Sequence, residues 1–296
     1  MTAIIVLNYN DWKTTTQFMD KIALYKSVDK IVIVDNCSTD DSWERLLPLA
    51  NEKIDVIQSQ KNNGYAAGNN VGIRHVRTHY SNVDKVIISN PDITIADSGI
   101  QNILNQLDSG YAMATGLIHN YNLQTQEKTL ASNFCWRVPK YNDLLWNYPL
   151  LTYKIRRSVF QKSIYSNISK YQDEQIIDTE CVPGCFFAIR MDALEEIGDF
   201  DEDTFLFSEE SILGFSLKEK GKKVCVLKDV EIRHEQSTSI NKSIKSKKAK
   251  EKIRLTSECI YLRNYLKKGK FSVFIYKAFF WFAFYERRLV FSIFKR

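Results

Sequence analysis

Ser89-Asn90-Pro91-Asp92 follows the apolar run Val86-Ile87-Ile88 and sets one carboxylate on a proline-stiffened turn at a strand end. The carboxyl edge of an open α/β sheet is where nucleotides and metals bind. Asp92 could hold a divalent cation there, Mn²⁺ or Mg²⁺, because these ions accept carboxylate oxygens and fill the rest of their shell with water and phosphate. The alternative is a cap on the following turn. Glu209 and Glu210 open a helix after Phe205-Leu206-Phe207-Ser208, and one of them could take the proton of an attacking hydroxyl. Two acids in a first helical turn also complement the helix dipole. His234, after Val230-Glu231-Ile232-Arg233, is a metal ligand or phosphate partner in one reading and a structural histidine in the other.

Three further polar strand ends accompany Asp92. Asn8-Tyr9-Asn10 ends the first apolar run, and an aromatic face with two amides suits a nucleobase and ribose, although an Asn-rich turn needs no ligand. Asp35, followed by Asn36, Cys37, Ser38, Thr39 and Asp40, could accept a hydrogen bond from a base N–H, with Ser38 and Asp40 capping the next helix. The loop from Asn62 and Asn63 through Gly64, Tyr65, Gly68, Asn69 and Asn70 to Gly72 lets backbone approach a ligand at a helix start. It is neither a dinucleotide fingerprint nor a P-loop, because it follows the third strand, lacks G-x-G-x-x-G spacing and is not followed by Lys-Ser/Thr.

The elements that must position these groups alternate. Ile4–Leu7, Ile31–Val34, Ile54–Ile57 and Val86–Ile88 read as strands, with helices over Trp12–Tyr25 and from about Ala66. Such spacing indicates βαβ units and a mostly parallel, Rossmann-like sheet. From Asn120 to Asp178 the pattern fades into an aromatic stretch with Trp136, Tyr141, Trp146, Tyr148, Tyr153 and Tyr165, expected to cover a substrate. Order returns with a strand at Phe186–Ile189, a helix over Asp192–Ile197 closed by Gly198, a helix over Glu209–Lys220 closed by Gly221, and strand-like runs at Val224–Leu227 and Val230–Ile232.

The 296 residues, 44% hydrophobic and 26% charged, suit one large α/β domain with an appendage or two domains. Six scattered cysteines form no C-x-x-C pair and fit a reducing compartment. Met1-Thr2 leads straight into Ala3-Ile4-Ile5, so no signal peptide is expected. Much of the +6 net charge lies after residue 241, in Lys242, Lys245, Lys247, Lys248, Lys250, Lys252 and Arg254. The aromatic stretch Phe271–Phe294 is interrupted by Lys277 and Glu286-Arg287-Arg288, which argues against a spanning helix.

In order and spacing, Asn8-Tyr9-Asn10, Asp35-Asn36 with Ser38 and Asp40, the 63–72 loop and Asn90-Pro91-Asp92 resemble the family 2 glycosyltransferases. The likeness continues through Pro183–Phe187, Ile197–Asp201, Phe205–Glu210 and His234, so it covers residues 2 to 240. It is of the bacterial polysaccharide-assembly, rhamnosyltransferase-like type. The resemblance implies a GT-A fold with a mixed, mostly parallel central sheet and inverting transfer from a nucleotide-diphosphate sugar. It implies that Asp35 contacts the base and that Asn8, Tyr9, Asn10, Asn36, Ser38, Asn63, Gly64, Gly68, Asn69, Asn90 and Pro91 line the nucleotide sugar. Asp92 and His234 then hold Mn²⁺ or Mg²⁺, and Glu210 is the general base supported by Glu209. Two positions depart from the family pattern: Glu210 stands where Asp is usual, and Asn90 where the metal element usually has its leading acid.

The domain reading is a catalytic unit over 1–240, split near 118 into a nucleotide-binding half and an acceptor-side half, and a basic, aromatic helical extension over 241–296. The extension suits a helix in the headgroup region of an anionic membrane, a helix packed on the domain, or a homodimer contact. The partners expected are a UDP- or dTDP-sugar and a glycan acceptor, lipid-linked at the cytoplasmic face of a membrane, with no nucleic acid. A sugar nucleotidyltransferase would carry a Gly-rich basic loop where Asn8-Tyr9-Asn10 stands, and an inactive nucleotide-sugar-binding scaffold is the reading from another class.

Overall fold

The computed structural model describes residues 1–122, 125–146, 164–235 and 246–294. Tyr148, Tyr153, Lys242 and Lys245 lie outside them. The first half alternates β1 (Thr2–Asn8), α1 (Trp12–Ile22), β2 (Lys30–Asp35), α2 (Ser42–Leu46), β3 (Ile54–Gln58), α3 (Tyr65–His79) and β4 (Lys85–Ser89). A two-residue strand β5 (Ile93–Thr94), helix α4 (Asp97–Asp108) and strands β6 (Met113–Tyr121) and β7 (Lys128–Leu130) follow. Beyond α5 (Tyr141–Trp146) come β8 (Ile176–Thr179), β9 (Phe186–Arg190), α6 (Met191–Ile197), α7 (Glu209–Glu219) and β10 (Val224–His234).

All ten strands join one sheet in the order β3-β2-β1-β4-β9-β6-β10-β5, with β7 on β6 and β8 on β10. β1 pairs in parallel with β2 and β4, β2 with β3, and β6 with β10, whereas β9 runs antiparallel to its neighbours β4 and β6. Two antiparallel steps restore direction, so β1, β2, β4, β6 and β10 all end at one edge. Apolar side chains alternate between the faces of the sheet, as the two-residue period requires. Ile5, Val32, Val34, Val86 and Ile88 enter one core, and Ile4, Val6, Ile31, Ile33 and Ile87 enter the other.

Two sequence expectations change. The runs Val224–Leu227 and Val230–Ile232 are one strand, interrupted by a register shift against β6 between Leu227 and Glu231. β6 gave no strand signal, because its buried portion, Met113–Ile118, interrupts any β-branched run with Ala114, Gly116 and Leu117. Gly116 has a packing reason: a Cβ there would lie 2.4 Å from the Val230 carbonyl oxygen of the bulged strand.

The carboxyl-terminal helices α8 (Lys247–Ile260) and α9 (Lys270–Phe294), joined through a π-turn at Tyr261–Tyr265, build a third core. In it Leu255, Tyr261, Leu262, Val273, Tyr276 and Phe280 pack with Trp136, Val138, Leu144, Leu145 and Ile212 of the preceding chain. Polar tips are satisfied across the seam: Tyr261 Oη donates to the Pro139 carbonyl at 2.8 Å, and Tyr141 Oη to that of Ser272 at 2.8 Å. Tyr276 is fully buried and its hydroxyl donates to Glu258. Tyr276→Ala should therefore destabilise the whole chain by about 3–5 kcal/mol in urea unfolding. A loss under about 1 kcal/mol would mean that the extension is not part of the cooperative core.

Candidate active site

The Asp92 turn starts where β4 leaves the sheet. Asn90 N donates to the Cys185 carbonyl at 2.8 Å, so the turn is tied to the loop that precedes β9. β5 then pairs with the end of β10, bringing Ile93 opposite His234, and Glu235 N donates to the Asp92 carbonyl at 2.9 Å. This pairing sets His234 Nε2 at 3.3 Å from Asp92 Oδ1, with Asp92 only 6% exposed. Among the described residues no group of three or more His, Cys, Asp or Glu gathers as metal ligands. The pair itself fits a divalent cation. Adjacent ligands of an octahedral ion, each about 2.1 Å from it, stand about 3 Å apart, and a Mg²⁺- or Mn²⁺-type site leaves its other positions to water and phosphate. A carboxylate beside an imidazole suits Mn²⁺ better than Mg²⁺, whose ligands are oxygens.

The two glutamates reach the same edge from the other side. Phe207 and Ser208, with φ of 74° and 71°, turn the chain through the left-handed region just before α7, a conformation that costs non-glycine residues about 1–3 kcal/mol each and persists only where neighbours enforce it. The neighbours are identifiable. Tyr65 N donates to the Phe205 carbonyl at 2.9 Å, Ser257 Oγ to that of Leu206 at 2.8 Å, and the Arg254 guanidinium lies 4.6 Å from the centre of the Phe207 ring. The turn leaves Glu209 buried, its Oε1 without a hydrogen-bond partner, and Glu210 half-buried with Oε1 accepting from Gly184 N at 3.3 Å. Burial, and then the charge of Glu210, push Glu209 up to about 8, and burial also lifts Glu210. The Cys185 thiol is pushed far up by burial, then by the carboxylates of Asp92 and Glu210. Asp92 and Glu210 thus both act electrostatically on one side chain.

On the far side of β4, the ends of β1 and β2 form a closed polar network. Asp35 Oδ1 accepts from Asn8 Nδ2 at 2.9 Å and from Ser38 Oγ at 2.5 Å; Oδ2 accepts from Ser38 N at 3.2 Å and Gln58 Nε2 at 2.9 Å. A carboxylate offers about four lone-pair positions, and these donors take all of them on a fully buried Asp35. A base N–H therefore reaches this acid only if one donor moves, and Gln58, exposed at the end of β3, is the one free to swing. Asn8 is buried as well, its Oδ1 accepting from Thr15 Oγ1 at 2.9 Å. Ser38 does not cap a helix as the sequence suggested, because its hydroxyl is spent on Asp35 while its oxygen also accepts from Asn10 N at 2.9 Å. Asp40 binds Ser42 N at 3.0 Å. Asn10, at φ 53°, closes the rim with Thr39. Tyr9 is half-buried beside it.

The 62–72 segment holds the acid-bearing turn more than it opens toward a ligand. Gly64, at φ 96°, lies so close to Phe205 that a Cβ would sit 1.9 Å from the Phe205 oxygen. Asn36 Nδ2 donates to Asn62 Oδ1 and the Gly64 carbonyl, both at 3.1 Å. Asn70 grips Phe200 N and O, and Tyr65 Oη donates to the Gly184 carbonyl at 2.5 Å. Asn69 is buried with Nδ2 on the Tyr65 carbonyl, and Gly68 admits Leu7, whose side chain would meet a Cβ at 2.6 Å. Asn63 is exposed. Asn90 and Pro91 are half-buried on the Asp92 turn. Sequence reading did not find Gln58, Arg254 or Ser257, because residues that meet the site only through tertiary packing carry no local motif.

Glu209 generates a pH signature. Between about 4.5, the ordinary glutamate value, and about 8, the unfolded chain releases a proton that the folded chain keeps. Its contribution to stability therefore falls as pH rises through that window. Glu209→Gln should reduce the difference in urea midpoint between pH 5 and pH 8 relative to wild type. An unchanged difference would contradict a buried, protonated Glu209.

Residues 3–198 match the family described as glycosyl transferase family 2. Over 103 residues the chain is 30% identical to the low-salt glycan biosynthesis hexosyltransferase Agl10 of Haloferax volcanii, covering 34% of this chain and 31% of that protein. The chain thus spans about a third of that curated relative. Among solved structures it superposes on GalNAc-T7 with UDP, GalNAc and Mn²⁺ (TM-score 0.57, 13% identity, 79% of this chain and 43% of that one). It superposes equally on the mannosyltransferase PcManGT of Pyrobaculum calidifontis in complex with GDP-Man and Mn²⁺ (TM-score 0.57, 14% identity, 94% and 73%). At these identities the superpositions establish the GT-A-like α/β fold alone, while the family match runs from β1 through α6, with the Asp92 turn inside it and Glu209, Glu210 and His234 beyond it: the chain belongs to glycosyl transferase family 2.

Proposed function

We propose that the protein is an inverting glycosyltransferase that moves one sugar, a hexose or rhamnose, from a UDP- or dTDP-sugar to a hydroxyl of a glycan acceptor. One observation carries this reading: the Gly184-Cys185 backbone donates to Glu210 on one side and accepts from the Asp92 turn on the other. A carboxylate–imidazole pair and a carboxylate base thereby face one sheet edge. The relatives add support, since one is named a hexosyltransferase and two were solved with a nucleotide or nucleotide sugar and Mn²⁺.

In this reading the rim of Tyr9, Asn10 and Asn36, floored by Asn8, Asp35 and Ser38, receives the nucleoside, with Gln58 yielding its place on Asp35 to the base. Asp92 and His234 would hold a divalent cation, Mn²⁺ or Mg²⁺, whose charge would offset that of the departing diphosphate. Glu210 accepts the proton of the acceptor hydroxyl as its oxygen bonds to the anomeric carbon and the sugar–phosphate bond breaks, the electron pair leaving with the diphosphate. Burial lifts the pKa of Glu210 and so makes it a stronger base than an exposed glutamate. Glu209, protonated at neutral pH, leaves the pair with a single charge. Residues 1–240 form the catalytic unit, and 241–296 an extension that braces its Glu209–Glu210 turn. The acceptor is a lipid-linked glycan of surface polysaccharide synthesis, met at the cytoplasmic face of a membrane.

Glu210→Gln should lower transfer by about 10²–10⁴-fold while nucleotide-sugar binding, followed calorimetrically, stays near wild type. Glu210→Asp should restore part of the rate. Wild-type turnover by the folded Gln variant would remove Glu210 from the base role.

A further inference from the structure

Helix α9 carries two apolar faces, and the fold uses one. At 3.6 residues per turn, Val273, Tyr276, Phe280, Ala283 and Phe284 point inward, and all are buried. Phe271, Phe274, Phe282, Tyr285 and Leu289 fall within about 80° of one another on the opposite side and are 76, 67, 60, 53 and 63% exposed. Exposed aromatic residues in a continuous stripe mark an interaction surface. Among the described residues no helix is long and apolar enough to cross a membrane, so the stripe belongs to a helix that lies along its partner.

Charge identifies the partner. Lys270, Lys277 and Arg288 recur along one flank of the stripe, Lys267 and Lys268 stand at its start, and Glu286 is the only acid between residues 267 and 296. A second copy of this chain would bring the same basic flank to the contact, because a two-fold interface is built from one patch twice. An anionic lipid surface complements it, and a helix with an aromatic face and basic flanks settles at the headgroup boundary.

We infer that the outward face of α9 is a docking surface for anionic lipid bilayers, which deepens the lipid-linked-acceptor reading above and rests on it only for its purpose. The helix is coupled to the acids by contact: Tyr276 bonds Glu258 on α8, and on the same helix Ser257 holds Leu206 and Arg254 covers Phe207. Docking through α9 therefore fixes the height and tilt of the Glu209–Glu210 turn over the bilayer, where a lipid-linked sugar would present its hydroxyl.

The test is flotation of the full chain with vesicles of phosphatidylglycerol and phosphatidylcholine, compared with vesicles of phosphatidylcholine alone. Wild type should float with the anionic vesicles and lose this at high salt. Phe274→Glu with Phe282→Glu, both at exposed positions, should lower the floating fraction at least about tenfold with an unchanged melting temperature. Lys277→Glu with Arg288→Glu should abolish the preference for anionic lipid. Equal flotation of wild type and the phenylalanine double variant would overturn the proposal. So would a wild-type dimer in light scattering that the same variant converts to monomer, which would make the face a self-interface. Donor hydrolysis without vesicles, measured in parallel, reports on the transferase reading independently: its absence in a protein that floats would refute that reading and leave the docking surface standing.

Discussion

The short backbone link at Gly184-Cys185 is the constraint on which the rest of the site depends. Because β9 runs antiparallel between β4 and β6, its preceding loop emerges at the edge where the other strands end. Cys185 then anchors the Asp92 turn through its carbonyl, and Gly184 anchors Glu210 through its amide. A Cβ at Gly184 would lie 3.0 Å from Glu210 Oε1 and would press on that carboxylate. An all-parallel sheet would send this loop to the opposite edge, and the two acids would never share a space.

Around that link the molecule invests polar groups in positioning more than in display. Asp35 is saturated by its own chain, Asn8 joins it to Thr15 of α1, and Asn36 and Asn70 spend their amides on loops. Such a network is strong only when every member is satisfied, because an unmet buried polar group costs about 1–3 kcal/mol. Asn36 Oδ1, Asn69 Oδ1 and Glu209 Oε1, like the hydroxyls of Ser42 and Ser59, are among the exceptions, buried without hydrogen-bond partners. Glu209 meets its cost by keeping its proton. The left-handed pair Phe207-Ser208 stores further strain, held by α3 from one side and α8 from the other.

Much of this was legible in the residues. Strands β1 to β4 announce themselves as β-branched runs, and Gly198 and Gly221 mark helix ends at φ 82° and 64°, whereas a link between Asp92 and His234 was implied only by the family resemblance, and the pairing of β5 with β10 sets them 3.3 Å apart. What stayed hidden has a common cause. β6 lacks the expected side-chain pattern because Gly116 must admit the bulge in β10. Ser38 was assigned to a cap because Ser precedes a helix, but a buried carboxylate three residues earlier competes for the hydroxyl and wins. The brace from Arg254 and Ser257 joins residues about 50 apart in sequence, and no local spacing encodes it. Of the three fates open to the extension, the structure shows packing on the domain for one face of α9 and leaves the other face to solvent.

In the proposed reaction the Asp92–His234 end and the Glu210 end serve one donor. Mn²⁺ binding followed by electron paramagnetic resonance tests it most directly, with the full chain and a nucleoside diphosphate. Two protein ligands hold the ion weakly and phosphate oxygens complete its shell, so bound Mn²⁺ should rise sharply when nucleotide is added. The rise should vanish in Asp92→Asn and persist in Glu210→Gln. Nucleotide-dependent Mn²⁺ binding that survives Asp92→Asn would contradict the account.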